Sequence, residues 1–239
     1  MARTHLALPL LAAALALGCG SKPPATVATD GAPTTSPERI DKPPMVEAEV
    51  GAMSEEKVAS TFRGASDALM ECLSSGSREL PYLGGTIRFR LIVDAKGKAL
   101  TAHLKESTLG HRATERCMLE ALRTRTWPAP VGGRTGIAET EFAFDPPGGT
   151  RPPVALSAGS VGKAAGDVRG ALASCGASSR AKGLAATLYV DPSGKVLGAG
   201  LSGSDPSTEE AADCVMRAIE GLSFPSPGSW VGKLTVRAN

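Results

Sequence analysis

Hydrophobic positions in the first half of the chain follow a helical period and then a strand period. Five apolar side chains recur at helical spacing, which predicts an amphipathic helix; they are Val58, Phe62, Ala65, Leu69 and Leu73. Alternating apolar positions then cover residues 86–106 around the turn sequence Asp94–Gly97, which predicts a β-hairpin. A second helix over 110–124 and a strand carrying Phe142 and Phe144 complete an α-β-β-α-β order.

The same order recurs 97 residues further along the chain. Residues Leu91–Lys98 align with Leu188–Lys195, and Trp127-Pro128 aligns with Phe224-Pro225. The second copy predicts a helix that ends at Cys175-Gly176, strands near 184–191 and 195–202, a helix from Pro206 to about Glu220 and a strand over 231–237. An internal repeat of this kind predicts two domains of one fold.

Each copy can bury its apolar faces by packing two helices on one face of a three-stranded antiparallel sheet. The predicted fold class is therefore α+β, with two tandem αββαβ domains. Their bounds are 54–145 and 161–239, and a linker rich in Pro and Gly covers 146–160. We expect Trp127 and Phe224 to plug the cores where a helix ends, with a role as partner-binding anchors as the alternative.

The cysteines support this arrangement. Apart from Cys19, each copy has two cysteines at corresponding positions, and four cysteines allow three pairings. Repeat symmetry selects Cys72–Cys117 and Cys175–Cys214, each joining the first helix of a copy to the second. A metal site or a redox pair is the alternative, but neither copy has a CxxC motif and neither His103 nor His111 has a counterpart.

The N-terminus has the pattern of a signal for export. An apolar run over residues 6–17 is too short to span a membrane and fits the core of a signal peptide. It ends at Gly18-Cys19, which resembles the bacterial lipobox, although Ala16 stands where the motif usually has Leu. The resemblance implies cleavage after residue 18 and a lipid on Cys19, which anchors the chain to a membrane. The alternative is an ordinary secretory signal in which Cys19 is incidental.

Composition separates the anchor from the folded part and excludes one class of partner. Residues 19–53 are rich in Pro, Thr and Ser and have no hydrophobic period, so we expect a disordered tether. The formal charge of the whole chain is only +2. Nucleic-acid binding is not expected, because it requires a strongly basic surface.

A set of short motifs in the first copy resembles the AgmX/PglI C-terminal domain, a TonB-C-terminal-like family. The motifs are Cys72, Leu80-Pro81-x-Leu83-x-Gly85, Ile87-x-Phe89-x-Leu91, Gly97-Lys98-Ala99, Ser107, Cys117 and Trp127-Pro128-x-Pro130. The similarity covers most of residues 60–145, and 165–239 is a degenerate copy. It implies a protein-interaction domain of the cell envelope without catalytic residues to carry over.

No constellation in the sequence points to catalysis, a metal or a cofactor. Ser107 and Ser204 recur in both copies, but helix capping or a turn explains them better than a nucleophile. His103 and His111 are expected at the surface. Motifs such as GxSxG, HExxH or a P-loop do not occur. We therefore expect a protein that is not an enzyme and has neither a cofactor nor a metal.

Three function classes follow, and the first is favoured. It is a lipid-anchored scaffold or interaction module of the envelope, most consistent with the outer membrane, which binds a protein partner along a sheet edge. The predicted docking edges are the strands 137–144 and 231–237, which carry Phe142, Phe144, Leu234 and Val236. The alternatives are a TonB-like energy-transducing or transport-associated component and a small-ligand receptor. The oligomeric state is not predicted.

Overall fold

The computed structural model describes residues 48–238, which form two four-stranded sheets and six helices. The predicted α+β class is confirmed. Cys19, the signal peptide and nearly all of the predicted tether lie outside the described residues. Both sheets belong to one compact unit, so the contacts between them are part of the fold. We call residues 48–144 the first repeat and residues 154–238 the second repeat.

The first repeat builds a sheet in the order β1-β4-β2-β3. Its elements are β1 (Ala48–Val50), α1 (Glu55–Gly64), α2 (Ser66–Glu79), β2 (Gly85–Asp94), β3 (Ala99–Ser107), α3 (Arg112–Arg123) and β4 (Gly133–Phe144). Strand β1 runs parallel to β4, and the other pairs are antiparallel. The single helix predicted at the start is two helices that meet at Ala65. Ser54 caps α1 by accepting a hydrogen bond from Lys57 N, which satisfies a free donor of the first turn.

The second repeat builds a sheet in the corresponding order β5-β8-β6-β7. Its elements are β5 (Val154–Ala155), α4 (Ala158–Val161), α5 (Lys163–Ser179), β6 (Ala185–Val190), β7 (Val196–Ser202), α6 (Thr208–Glu220) and β8 (Gly232–Arg237). Strand β5 runs parallel to β8. The hairpins of both repeats turn through a glycine at positive φ, Gly97 and Gly194, as the turn sequences predict.

The prediction of three-stranded antiparallel sheets is wrong, because each sheet has a fourth, parallel strand. Strand β1 lies in the segment predicted as tether, and β5 lies in the predicted linker. Three and two residues are too few to show an alternating pattern, and Pro or Gly residues surround both segments. These strands form because the outer edge of β4 or β8 offers backbone partners, which a local pattern does not reveal.

Each repeat has its own core beneath its helices, closed by the disulfide predicted for it. Cys72–Cys117 joins α2 to α3, and Cys175–Cys214 joins α5 to α6, both with a Cα–Cα distance of 5.8 Å. Trp127 and Phe224 are buried where α3 and α6 end, so their predicted role as core plugs is confirmed. The indole N–H of Trp127 also donates to Leu122 O at 3.2 Å.

The two repeats pack against each other through one side of β6. Ala186, Leu188 and Val190 face the helices of the second repeat, and all six residues of β6 are buried. Tyr189, on the opposite face, belongs to the core of the first repeat, where its ring lies 5.4 Å from that of Tyr82. The second sheet is therefore covered on both faces, by its own helices and by the first repeat.

Candidate functional site

The outer edge of β4 carries backbone groups that no strand covers. Thr135 O accepts a hydrogen bond from Gly51 N at 2.7 Å, so the backbone groups of Thr135 point away from β2. Because this direction alternates along a strand, those of Ile137, Glu139, Glu141 and Ala143 also point outward. Hydrogen bonds to these outward groups are absent within residues 48–238. An edge of seven residues is therefore open for pairing.

A groove runs along this edge, between β4 and the N-terminal half of α1. Its volume is about 380 Å³. Its apolar side chains come mainly from α1 and the segment before it; the lining residues are Met53, Glu55, Val58, Ala59, Phe62, Ile137, Glu139 and Thr140. A strand added to β4 would therefore lie beside an apolar helix surface as well as beside unpaired backbone.

The residues predicted to mark the docking edges have their side chains in the cores. Phe144, Leu234 and Val236 are buried, and Phe142 packs partly buried against Phe62 and Phe89. Position 142 also has its backbone turned toward β2, because it alternates with the outward positions. These four residues hold the strands in place, and the groups that could meet a partner belong to the residues between them.

The corresponding edge of β8 is much shorter. Lys233 O accepts a hydrogen bond from Leu156 N at 2.8 Å, which fixes the outward direction there. By alternation only Thr235 and Arg237 present outward backbone groups beyond β5. Two residues give little length for pairing, so β4 is the better candidate of the two predicted edges.

The edge strands β3 and β7 of the two sheets meet at a joint between equivalent elements. We define the joint as the contact of β3 and the start of α3 with β7 and the start of α6. Gly203 N donates to Leu104 O at 2.8 Å, and Arg112 binds Glu209 with an N–O distance of 2.9 Å. Arg112 and Glu209 occupy equivalent positions, 97 residues apart. At this ion pair, equivalent positions of the two repeats face each other, as residues on the axis of an isologous dimer do.

Glu115 is fully buried in this joint and links the two repeats. Its carboxylate accepts hydrogen bonds from Ser107 Oγ at 2.7 Å, Gly110 N at 3.3 Å and Leu201 N at 3.1 Å. Burial raises the pKa of Glu115, and the three donors oppose that rise. A side chain at Gly200 would collide with the carboxylate, so the glycine permits the close approach.

His103 and His111 were expected at the surface, and that expectation is wrong. His103 is 1% exposed and lies under the start of α6, and His111 is 8% exposed. Neither ring nitrogen of His103 has a hydrogen-bond partner within the described chain, and the Ser204 backbone lies beside the ring without completing a bond. Burial lowers the pKa of both histidines.

A third polar contact fixes the second sheet on the first repeat. Lys233 Nζ donates to Gly84 O at 2.6 Å, and the Tyr189 hydroxyl donates to the same oxygen at 3.3 Å. Burial lowers the pKa of Lys233 to about 8 and raises the pKa of Tyr189 to about 12. These groups serve the packing between repeats and do not surround an open cavity.

The groups screened for catalysis are engaged in structural contacts. Ser107 Oγ donates to Glu115, and Ser204 Oγ donates to Lys182 O at 3.0 Å. His111 Nδ1 shares a hydrogen bond with Thr114 Oγ1 at 2.8 Å. Among residues 48–238, no cluster of three or more His, Cys, Asp or Glu side chains could hold a metal ion. Within residues 48–238, neither serine hydroxyl is hydrogen-bonded to a histidine that could act as its base.

The sequence did not identify the joint, but it contained one usable signal. Arg112 and Glu209 have opposite charges at equivalent positions of the repeat. An ion pair between equivalent positions of two copies requires opposite charges at those positions. Glu115 had no comparable signal, because its counterpart is Ala212 and charged residues on a helix are usually solvated.

No helix between residues 48 and 238 combines the length and apolarity needed to cross a bilayer. Comparison of the chain with protein-family models, with curated proteins and with solved structures found no match in any of the three.

Proposed function

We propose that this chain is a lipid-anchored protein of the bacterial cell envelope that binds a protein partner along the open edge of β4. The observation that carries the proposal is the row of outward backbone groups at Ile137, Glu139, Glu141 and Ala143. Exposed strand edges pair readily with other chains, and the partner gains main-chain hydrogen bonds. The groove beside α1 offers pockets for its side chains.

The sequence supports the anchored location. The short apolar run before Gly18-Cys19 fits an exported lipoprotein, and four cysteines pair as two disulfides, as suits an oxidising compartment. We place the protein at the outer membrane, because Gly20 after Cys19 is not the Asp that retains lipoproteins at the inner membrane. The same helix and strand order in both repeats agrees with two TonB-C-terminal-like domains, which we propose as their family.

The proposal is tested by proline substitution at an outward position. The N–H of Ala143 points away from β2, so Ala143→Pro removes a donor for the partner without removing a bond of the sheet. The control Ala143→Val keeps the donor and suits a strand. Each variant is expressed in cells with a photo-crosslinking residue in place of Ile137. Ile137 is 37% exposed and lies at the same edge.

The expected result is a discrete crosslinked product that persists with Ala143→Val and is lost with Ala143→Pro. Circular dichroism and intact disulfides confirm that the proline variant is folded. A product of equal yield in both variants would refute docking on this edge.

A further inference from the structure

The charged side chains that border the β4 edge are carboxylates. Glu55 lines the groove from α1, and Glu139 and Glu141 are consecutive outward positions of β4 with side chains on the face away from the helices. The Glu141 side chain is 48% exposed, and one of its oxygens, Oε2, binds Arg88 at 2.8 Å. Glu139 binds Arg90 and Lys105, which lie further from the edge on β2 and β3. A strand added outside β4 therefore meets acidic groups first.

A second copy of the chain is a poor occupant of this edge. In an antiparallel pair, residues that face each other across the strands lie side by side. Suppose that the open edges 137–143 of two copies pair antiparallel, with Glu139 and Glu141 of both copies inside the paired stretch. At least one glutamate of one copy then lies directly opposite a glutamate of the other. Like charges directly opposite each other destabilise a sheet. The acidic positions thus discourage self-pairing, as charged residues on natural edge strands do.

The two sides of the edge differ in chemistry. On the face of the sheet away from the helices, an added strand would lie next to the side chains of Ile137, Glu139 and Glu141. On the helix side it would lie over the groove, whose floor includes the buried Val58 and Phe62 of α1. Since the side chains of a strand alternate between its two faces, a matching partner alternates basic and apolar residues.

We infer that the partner is an extended segment of about seven residues in which Lys or Arg alternates with apolar side chains, the length following from the open positions 137–143. This inference rests on the proposed function, because it names the chemistry of the segment bound at the same edge. The basic residues face Glu139 and Glu141, and the apolar residues enter the groove beside α1.

The inference is tested with three labelled seven-residue peptides that alternate Val with Lys, with Gln or with Glu, each with blocked termini. Their dissociation constants for the full-length protein in a nonionic detergent are measured by fluorescence anisotropy at low and physiological salt. We expect the Lys peptide to bind tightest and to weaken with salt, because screening reduces attraction between exposed charges.

Charge-neutralising variants assign the effect to residues. The double variant Glu139→Gln/Glu141→Gln is expected to weaken binding of the Lys peptide by roughly tenfold, since each exposed ion pair contributes a factor of a few. The matched control is Glu106→Gln on β3, which removes a carboxylate that binds Arg88 on the same face but away from the edge. The control is expected to leave the affinity unchanged.

The outcomes separate this inference from the proposed function. Equal binding of all three peptides that Ala143→Pro abolishes would overturn the charge preference and leave edge docking intact. No binding of any peptide, or binding that Ala143→Pro does not affect, would overturn both. Concentration-dependent dimers in sedimentation that Ala143→Pro abolishes would make a second copy the occupant. Tighter binding of the peptides after deletion of residues 20–47 would make the tether the occupant. Either result would overturn the inference that the partner is a segment rich in Lys or Arg.

Discussion

His103 and Glu115 are buried titratable groups of the first repeat that lie at the joint. His103 corresponds to Gly200 in the repeat, and Gly200 lies against the carboxylate of Glu115. The first repeat thus places an acid over the second sheet, where three donors bind it. The second repeat covers an imidazole of the first sheet whose nitrogens have no partner among residues 48–238. The two groups respond to pH with opposite signs.

His103 is expected to make the fold less stable in acid. Burial lowers its pKa, with Arg90 acting in the same direction and Asp205 and Glu209 opposing it. The folded chain therefore binds a proton less readily than the unfolded chain. The stability that neutral His103 contributes is present above the ordinary pKa of about 6.5 and falls as the pH drops below it, by up to about 1.4 kcal/mol per pH unit.

The measurement compares wild type with His103→Leu by denaturant unfolding between pH 7.5 and pH 5. The variant should show a shallower loss of unfolding free energy toward acid. Glu115 contributes the opposite change, because its pKa is raised, but both proteins share that contribution and it cancels in the difference. His111→Gln, measured in the same way, shows how much of the acid sensitivity comes from the other buried histidine. Identical slopes for wild type and His103→Leu would contradict the burial of an uncharged imidazole.

At the scale of elements, the two disulfides carry a large part of the stability. They join residues 45 and 39 positions apart, and each core is that of a small domain. The chain-entropy account gives a stabilisation of about 4 kcal/mol for loops of this length. Cys72→Ala/Cys117→Ala is therefore expected to lower the free energy of unfolding by about that amount. Denaturant unfolding of the variant with its second disulfide intact measures the loss, and a loss below about 1 kcal/mol would refute the prediction.

Elements with a long local pattern were predictable from the sequence. The hairpin, α3, α6 and β8 lie within a few residues of their predicted bounds, because apolar spacing and turn residues determine them locally. The split at Ala65 was not predictable, since Ala65 continues the apolar spacing and is fully buried. Strands β1 and β5 form only because they pair with β4 and β8, which are far away in the sequence. Their own residues therefore do not predict them.

The candidate site divides in the same way. The strand 137–144 was predicted as a docking edge, and its part beyond β1 has no strand beside it among residues 48–238, but the residues that face outward were not predictable. Their identity follows from the hydrogen bond between Gly51 N and Thr135 O, which involves the unpredicted strand β1. Phe142 and Phe144 were predicted to mark the docking edge. As large apolar residues, they pack in or against the core instead.

The packing of the two repeats determines which sheet edges of the molecule face the other repeat and which face away from it. Strands β3 and β7 are the inner edges of their sheets, and each lies against the other repeat. The same contact covers the outer face of β6 with Tyr82 and Gly84 of the first repeat. Among residues 48–238, the part of β4 beyond β1 is a run of seven residues with no strand beside it. The second repeat thus protects one edge of the first and leaves the other for a partner.

The reciprocal contact at the joint allows a charge-exchange experiment. Arg112 and Glu209 form a two-bond ion pair, and their side chains are only 18% and 17% exposed. Because the two positions are equivalent, exchanging the residues should rebuild the pair in the opposite direction. Arg112→Glu or Glu209→Arg alone places like charges together at a half-buried contact. We expect each single variant to lower the free energy of unfolding by about 2 kcal/mol and the double variant to recover most of the loss.

The coupling energy from denaturant unfolding of all four proteins, followed by circular dichroism, measures this recovery. The matched control exchanges the exposed pair Lys163 and Asp167, which lies within one helix, and is expected to give a coupling below about 0.5 kcal/mol. Additive losses at Arg112 and Glu209 would mean that the positions do not face each other. A recovered double variant would instead establish that these equivalent positions of the two repeats face each other and accept the ion pair in either direction.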